Sequence, residues 1–354
     1  MLHELEIENF RCFQELSAKP LARVNLLVGK NNCGKTAFLD AVELLVSEAD
    51  VPPVFRSLRR RQEVSAQTLE QSSGKTATQF VFWPENLFFG HKMPVGATFK
   101  IRSGKREMFL RHEERETGQK VLGFIPFAKA HDLVVKPGHA DRLSAWNLAS
   151  DGSYRLTTDD LDKHRTESPL PVLFLPTERA SPLSLSGLWD EVSLTDEESL
   201  VLEALRCIDP GVEKVGRRGE GSDVHFVVRL RGDKEPRRLG TLGDGMRHIL
   251  ALALHLVTSK GGYLLIDEID TGLHYTVLAK MWKMLLESAR RLNIQVFATT
   301  HSLDCIVALA EIRKLLDVTP EDLMVHRLVA GMDKTQTYTP EDLSSTAQFH
   351  GEVR

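Results

Sequence analysis

Cysteine is scarce and dispersed. Cys12, Cys33, Cys207 and Cys305 are the only four in a chain of 354 residues, and no two form a C-x-x-C pair. That spacing offers neither a disulfide framework nor a zinc-ligand set, and it suits a reducing cytoplasm. Long apolar runs are missing too. The longest stretch, residues 249–257, is interrupted by His255, and it falls far short of the ~20 residues that a membrane span needs. The opening MLHELEIENF is acidic and strand-like, unlike a secretory signal. These absences predict a cytoplasmic protein with no membrane partner. Hydrophobic residues at 42% and charged residues at 27% exclude a disordered or fibrous chain. The length predicts two domains, or one with a large insertion.

The net charge of −4 is unevenly spread: −3 over residues 1–50, +5 over 51–170 and −6 over 171–354. A basic middle between acidic flanks points to an insertion or arm module at 51–170. Residues 1–50 and 171–354 would then form a composite head. In the first segment, Leu5 and Ile7 alternate with Glu4, Glu6 and Glu8, the pattern of a half-buried strand. Residues 24–28, V-N-L-L-V, read as a second strand, and Phe38, Val42 and Leu45 recur at helical spacing. Pro52-Pro53 would end that helix. The middle segment shows no clear repeat, with strands expected at 79–82 and 97–102. Beyond it, strands are expected at 172–175, 224–230, 263–266 and 294–298, and helices at 198–207 and 248–257. Apolar strands alternating with helices indicate an α/β core with a mixed or parallel sheet.

Residues 29–36, G-K-N-N-C-G-K-T, match G-x-x-x-x-G-K-[ST]. Gly29 and Gly34 let the backbone curl so that successive N–H groups, including those of Asn31, Asn32 and Cys33, face a phosphate. Lys35 can neutralise the β and γ oxygens, and Thr36 can ligate Mg²⁺. The helix that follows presents its positive end to the same anion. In L-L-I-D-E, residues 264–268, an apolar strand ends in two acids at the sheet edge where α/β folds bind ligands. There Asp267 can support the metal, and Glu268 can orient or deprotonate an attacking water. His301 follows another apolar strand, as expected for a γ-phosphate sensor. The turn at 242–247, L-G-D-G-M-R, either binds an anion or simply starts a helix.

The order of these motifs resembles ABC-type ATPases of the SMC/RecF/OLD group, with the opening I-E-N-F-R-C-F at 7–13 resembling their N-F-R-x-F start. The likeness is greatest to stand-alone OLD-like AAA ATPases, including ATPase subunits of anti-phage defence systems, and covers about residues 1–50 and 170–310. The resemblance implies an ABC-ATPase-like P-loop head that uses ATP and Mg²⁺. Lys35 and Thr36 would bind phosphate and metal, Asp267 would support the metal, Glu268 would activate water and His301 would sense the γ-phosphate. Gly243, Asp244 and Gly245 would contact the nucleotide held by a second subunit. Residues 270–274 would fall in the loop linking the two active sites. Gly243 replaces the group's signature serine, and Gln62, Gln67, Gln71 and Gln79 compete for the Q-loop position. About fifty residues follow His301, too few for the C-terminal Toprim nuclease usual in OLD proteins. The implied function is ATP hydrolysis by a homodimer or larger assembly in DNA-linked anti-phage defence or repair, with a separate nuclease or effector. The alternative is a slow ATP-dependent switch that stores and releases an effector without touching nucleic acid.

Several features stand outside these motifs. Arg56, Arg59, Arg60 and Arg61, joined by Lys100, Arg102, Lys105 and Arg106, read as a solvated face or as a phosphate-tracking surface for DNA. Phe82, Trp83, Phe88 and Phe89 read as core or subunit contacts before base-stacking groups. The polar tail from Thr335 reads as a mobile end or a partner-docking strip.

Overall fold

The computed structural model describes residues 1–47, 51–70, 76–116, 129–137, 143–163 and 170–344. A hairpin of β1 (Leu5–Phe10) and β2 (Phe13–Ala18) leads to β3 (Val24–Val28) and α1 (Lys35–Val46). The middle of the chain forms α2 (Val51–Arg60), β4 (Val64–Glu70), β5 (Thr76–Phe82), β6 (Thr98–Ser103) and β7 (Arg106–Glu116). It continues through β8 (Lys129–Lys136), β9 (Ser144–Asn147), β10 (Tyr154–Thr157) and α3 (Thr158–Lys163). Then come β11 (Val172–Leu175), α4 (Pro182–Val192), α5 (Glu198–Arg206), β12 (Val212–Arg218), β13 (His225–Leu230) and β14 (Arg237–Arg238). The last part holds α6 (Asp244–Thr258), β15 (Tyr263–Ile266), α7 (Tyr275–Arg291), β16 (Gln295–Thr299), α8 (Leu303–Leu315), β17 (Leu323–Arg327) and β18 (Gln336–Tyr338).

The architecture is α/β, built on two six-stranded sheets. One has the order β11-β15-β16-β3-β17-β18, parallel except for β18 at its edge. Every residue of β3, β15 and β16 is buried, because helices or strands cover both faces, so these strands read as unbroken apolar runs. Alternate residues serve opposite layers. Leu26, Ile266 and Val296 join the core under α4–α8, while Leu27, Leu265 and Phe297 pack toward α1. The other sheet, β2-β1-β6-β7-β8-β9, is antiparallel and closes over α1 from the far side. Helix α1 is thus sandwiched, and all its residues but Thr36 are buried.

Residues 51–170 interrupt the head in sequence, yet β6 pairs directly with β1, matching Ile101 to Ile7. The middle segment therefore extends the sheet that the first residues begin. Pro52-Pro53 does not end α1, which stops at Val46 with Ser47 as its C-cap. Instead the two prolines occupy the first turn of α2, where a missing backbone N–H costs nothing. The tail is not uniformly loose: β18 pairs with β17, Val325 opposite Tyr338. Residues 345–354 of the tail lie outside the described residues.

Candidate functional site

Three neighbouring strands, β15, β16 and β3, end on the same edge of the parallel sheet. The loop after β3 needs its glycines. Gly29 has φ 145° and Gly34 φ 102°, backbone conformations that L side chains rarely adopt. A Cβ on Gly29 would lie 2.5 Å from the Leu328 carbonyl oxygen, and one on Gly34 would collide with the Phe13 ring. Phe13, from the N-F-R-x-F-like start, thereby braces the loop. Lys35 Nζ donates to the carbonyls of Gly29 (2.8 Å) and Lys30 (3.0 Å), so the ammonium closes the curl from within. Asn31 and Asn32 are exposed on the loop, while Cys33 is buried.

The acids and hydroxyls of the other two strand ends meet this loop. Thr36 Oγ1 donates to Asp267 Oδ2 at 2.9 Å, and Thr299 Oγ1 donates to Asp267 Oδ1 at 2.6 Å. The same Thr299 oxygen accepts the Glu268 backbone N–H at 2.8 Å. Thr300 Oγ1 donates to Asp270 Oδ1 at 2.6 Å. Glu268 sits at φ 53°, a left-handed conformation uncommon for a residue with a side chain and frequent at functional sites. His301 Nδ1 lies 3.5 Å from Glu268 Oε1. Two hard oxygens on one edge of an octahedron with Mg–O distances of 2.0–2.1 Å stand about 2.9 Å apart. The Thr36–Asp267 pair has that separation and that donor chemistry. Among the described residues, no group of three or more His, Cys, Asp or Glu side chains could hold a metal by itself. Phosphate and water oxygens would have to complete a Mg²⁺ shell here.

The turn at Gly243–Gly245 packs against the loop that follows Glu268. Gly243 has φ 97° and precedes α6. A Cβ on Gly245 would stand 3.0 Å from the Gly272 carbonyl oxygen. His248, one turn along, bonds the Ile269 carbonyl at 2.9 Å, and burial lowers its pKa below the ordinary histidine value. The start of α6 is thus seated on the 269–272 loop that follows Glu268. Among the described residues, no hydrogen bond or ion pair joins Gly243–Gly245 to residues 29–36.

Residues 24–306, most of the chain, match the family described as "AAA domain, putative AbiEii toxin, Type IV TA system". The chain belongs to this family. The match makes it an AAA-domain protein, a class that the 29–36 loop fits. An ATP/GTP phosphatase from Helicobacter pylori is 19% identical over 339 residues, covering 88% of each chain. An OLD nuclease from Thermus scotoductus is 40% identical over 63 residues, 18% of this chain and 11% of that protein. An Smc head domain with an extended coiled coil, bound to the C-terminal domain of ScpA, from Pyrococcus furiosus, is 12% identical. Its TM-score is 0.49, and 98% of each chain is covered.

In this AAA protein the sequence motifs bring together Lys35, Thr36, Asp267, Glu268 and His301, and they miss Thr299. That residue links Asp267 to the backbone of Glu268, and the T-T pair ahead of His301 was its only trace in the sequence. Part of the basic cluster at α2 turns inward. Arg60 pairs with Asp40 (2.9 Å) and with Glu43, Arg61 with Asp40 (2.9 Å) and Arg56 with Glu43 (3.0 Å). Both acids are buried on α1, and Arg11 reaches Asp40 at 3.4 Å. Arg102 likewise pairs with Glu6 and Glu8. Arg60 and Arg61 thus clamp the loop's helix and Arg102 braces β1, while Arg56 and Arg59 stay exposed on the outer side of α2. Of the aromatics, Phe82 and Phe88 are buried, while Trp83 and Phe89 are partly exposed. Gln67 and Gln79 face each other across the β4–β5 ladder, and Gln62 lies in the turn after α2 at φ 59°. Gln71 lies outside the described residues.

Proposed function

We propose that this protein hydrolyses ATP at sites shared between two subunits. The observation that carries this reading is the Thr36–Asp267–Thr299–Glu268 hydrogen-bond chain on one sheet edge. Backbone N–H groups of residues 29–36 would cradle the phosphates, with Lys35 released from the Gly29 and Lys30 carbonyls to the β and γ oxygens. Thr36 and Asp267 would hold Mg²⁺, which when bound neutralises charge on the phosphates. Glu268 would take a proton from the attacking water as the bond from the γ-phosphorus to the leaving ADP oxygen breaks. His301, held beside Glu268, would read the γ-phosphate. Gly243, Asp244 and Gly245, packed against the loop that follows Glu268, would face nucleotide held by the partner.

The names of the relatives support a biological setting. One is an OLD nuclease, and the matching family is described through a putative toxin of a toxin–antitoxin system. The setting proposed is DNA-linked anti-phage defence or repair in the cytoplasm, with a separate nuclease or effector subunit. The ion pairs that hold Arg60 and Arg61 to the buried Asp40 favour nucleic-acid contact through that partner over contact through the 51–170 arm.

The reading is tested by mixing two inactive variants. Lys35→Ala removes the loop cation, and Gly245→Arg blocks the shared face. Each alone should lose turnover; because a Cβ at Gly245 presses on the Gly272 carbonyl of its own chain, folding of Gly245→Arg is checked separately by circular dichroism and by retained ATP binding. A mixture should recover activity, because one of the two sites in a mixed dimer is intact. Glu268→Gln should keep ATP binding, lose turnover and accumulate the closed assembly. Full activity of Gly245→Arg alone would refute the shared site.

A further inference from the structure

The turn proposed to face the partner's nucleotide carries a carboxylate where a phosphate is to arrive. Asp244 lies in the first turn of α6, and half of its side chain is open to solvent. Left alone it would repel the incoming anion. Two arginines flank it. Arg179 Nη2 is 2.6 Å from one carboxylate oxygen, and Arg247 Nη1 is 3.6 Å from the other. The three charges sum to a net positive face.

The two arginines are held differently. Arg247 also donates to the Gly240 carbonyl at 3.5 Å, in the turn that precedes its own helix, so it is tied locally. Arg179 stands on the 176–181 loop that leaves the carboxyl end of β11. Its side chain is 72% exposed, and Asp244 is the one partner recorded for its guanidinium among the described residues. Among the same residues, no hydrogen bond or ion pair ties residues 176–181 to 29–36, Asp267 or Glu268. Arg179 is therefore presented with the signature turn, and no bond ties it to its own chain's phosphate loop. A planar fork of donors that bridges carboxylate and phosphate oxygens alike suits an exchange of partners.

We propose that Arg179 acts in trans: it leaves or shares Asp244 to contact the γ-phosphate of the nucleotide bound to the partner subunit's 29–36 loop. This inference rests on the shared-site reading above. It supplies a cation at a turn that lacks the signature serine, and it makes Arg179 a second residue through which dimer closure is sensed.

The experiment uses the full chain carrying Arg179→Ala, alone and mixed with Lys35→Ala. Alone, Arg179→Ala should keep its melting temperature and its affinity for ATP as a separated subunit, and lose at least about a hundredfold in turnover, a loss appearing in kcat rather than KM. Arg179→Lys should restore part of it. Mixed in equal amounts with Lys35→Ala, it should recover about a quarter of wild-type turnover, since half of randomly paired dimers hold one complete site. Contact in cis predicts no recovery, because neither site of the mixed dimer would then be complete. If Gly245→Arg with Lys35→Ala recovers and the Arg179→Ala mixture does not, the trans role is overturned and the shared site stands. If neither mixture recovers, both fall. Arg179→Ala/Asp244→Asn separates contact from neutralisation. Restored turnover in that double variant would show that Arg179 only offsets Asp244, and would overturn the proposal.

Discussion

Thr299→Val tests how much of the site depends on a residue outside the motifs. Thr299 is fully buried at the end of β16. Valine copies its shape, so the substitution deletes the hydroxyl and leaves packing in place. Two bonds go with it: the 2.6 Å donation to Asp267 Oδ1 and the 2.8 Å acceptance from the Glu268 N–H. A hydrogen bond to a charged group contributes about 1.5–3 kcal/mol, and a buried donor left unpaired costs about 1–3 kcal/mol. Asp267 and Glu268 are only partly buried, so water recovers part of both. The expected loss is about 3 kcal/mol, read as a lowered midpoint in urea unfolding. Function should fall separately. Partners that orient a metal-holding carboxylate typically govern 10- to 100-fold in metal affinity or activity. The Mg²⁺ concentration for half-maximal turnover should rise by roughly that factor, and Thr299→Ser should restore it. If Thr299→Val is within about 0.5 kcal/mol of wild type and its Mg²⁺ dependence is unchanged, the hydrogen-bond chain does not organise the site.

Arg60→Ala should destabilise the fold by about 3 kcal/mol in the same urea assay, because it strips a cation shared by two buried carboxylates. Asp40 and Glu43 are 1% and 2% exposed, and the guanidinium also stacks 3.8 Å from the Phe174 ring centroid. A change near zero would mean that Arg11, Arg56 and Arg61 suffice for both acids. His326, buried between β3 and the end segment, is held neutral, its pKa pushed down by burial to about 4. The unfolded chain takes up that proton near pH 6.5, so stability is greatest above that value and falls as the pH drops toward 4, by about 3 kcal/mol in all. Urea unfolding at several pH values should show this slope, made steeper by His248 and His255, which burial shifts the same way. In His326→Asn the slope should be shallower, and an unchanged slope would exclude His326 as its source.

The parts of the fold legible in the sequence are those whose environment is uniform. Strands β3, β15 and β16 are buried on both faces, so their apolar runs are unmistakable. The 29–36 loop is legible because its backbone curl admits only glycine at Gly29 and Gly34. Strand β7 is obscured by its surroundings. Met108 and Leu110 face the core, but half-buried Glu107, Phe109 and Arg111 alternate with them in an antiparallel ladder. Helix α2 is masked by Pro52-Pro53, residues that either end a helix or open one. The arginine cluster misleads for a different reason. Its counter-charges, Asp40 and Glu43, lie in an otherwise apolar helix, and nothing in the sequence says which side of that helix α2 will cover.

The sheet edge that carries Asp267 shows why spacing reveals the loop but not the hydrogen-bond relay. Parallel pairing sets Ile266 beside Ala298, and Thr299 beside Leu27. One residue further along β15 and β16, Asp267 comes beside Thr299, and Glu268 follows within reach of the same hydroxyl. The Asp267–Thr299 contact is therefore a consequence of sheet register, a long-range relation between segments thirty-two residues apart. Threonine at a strand end is also an ordinary strand former, so its type alone carries no message. Register is in turn fixed by the core: a slip of one residue would turn Phe297 away from α1 and send Val296 toward it. The packing of Phe297 against Phe38, with ring centroids 6.3 Å apart, thus helps decide which side chain meets Asp267. Chemistry at the edge is specified by apolar contacts in the middle of the sheet.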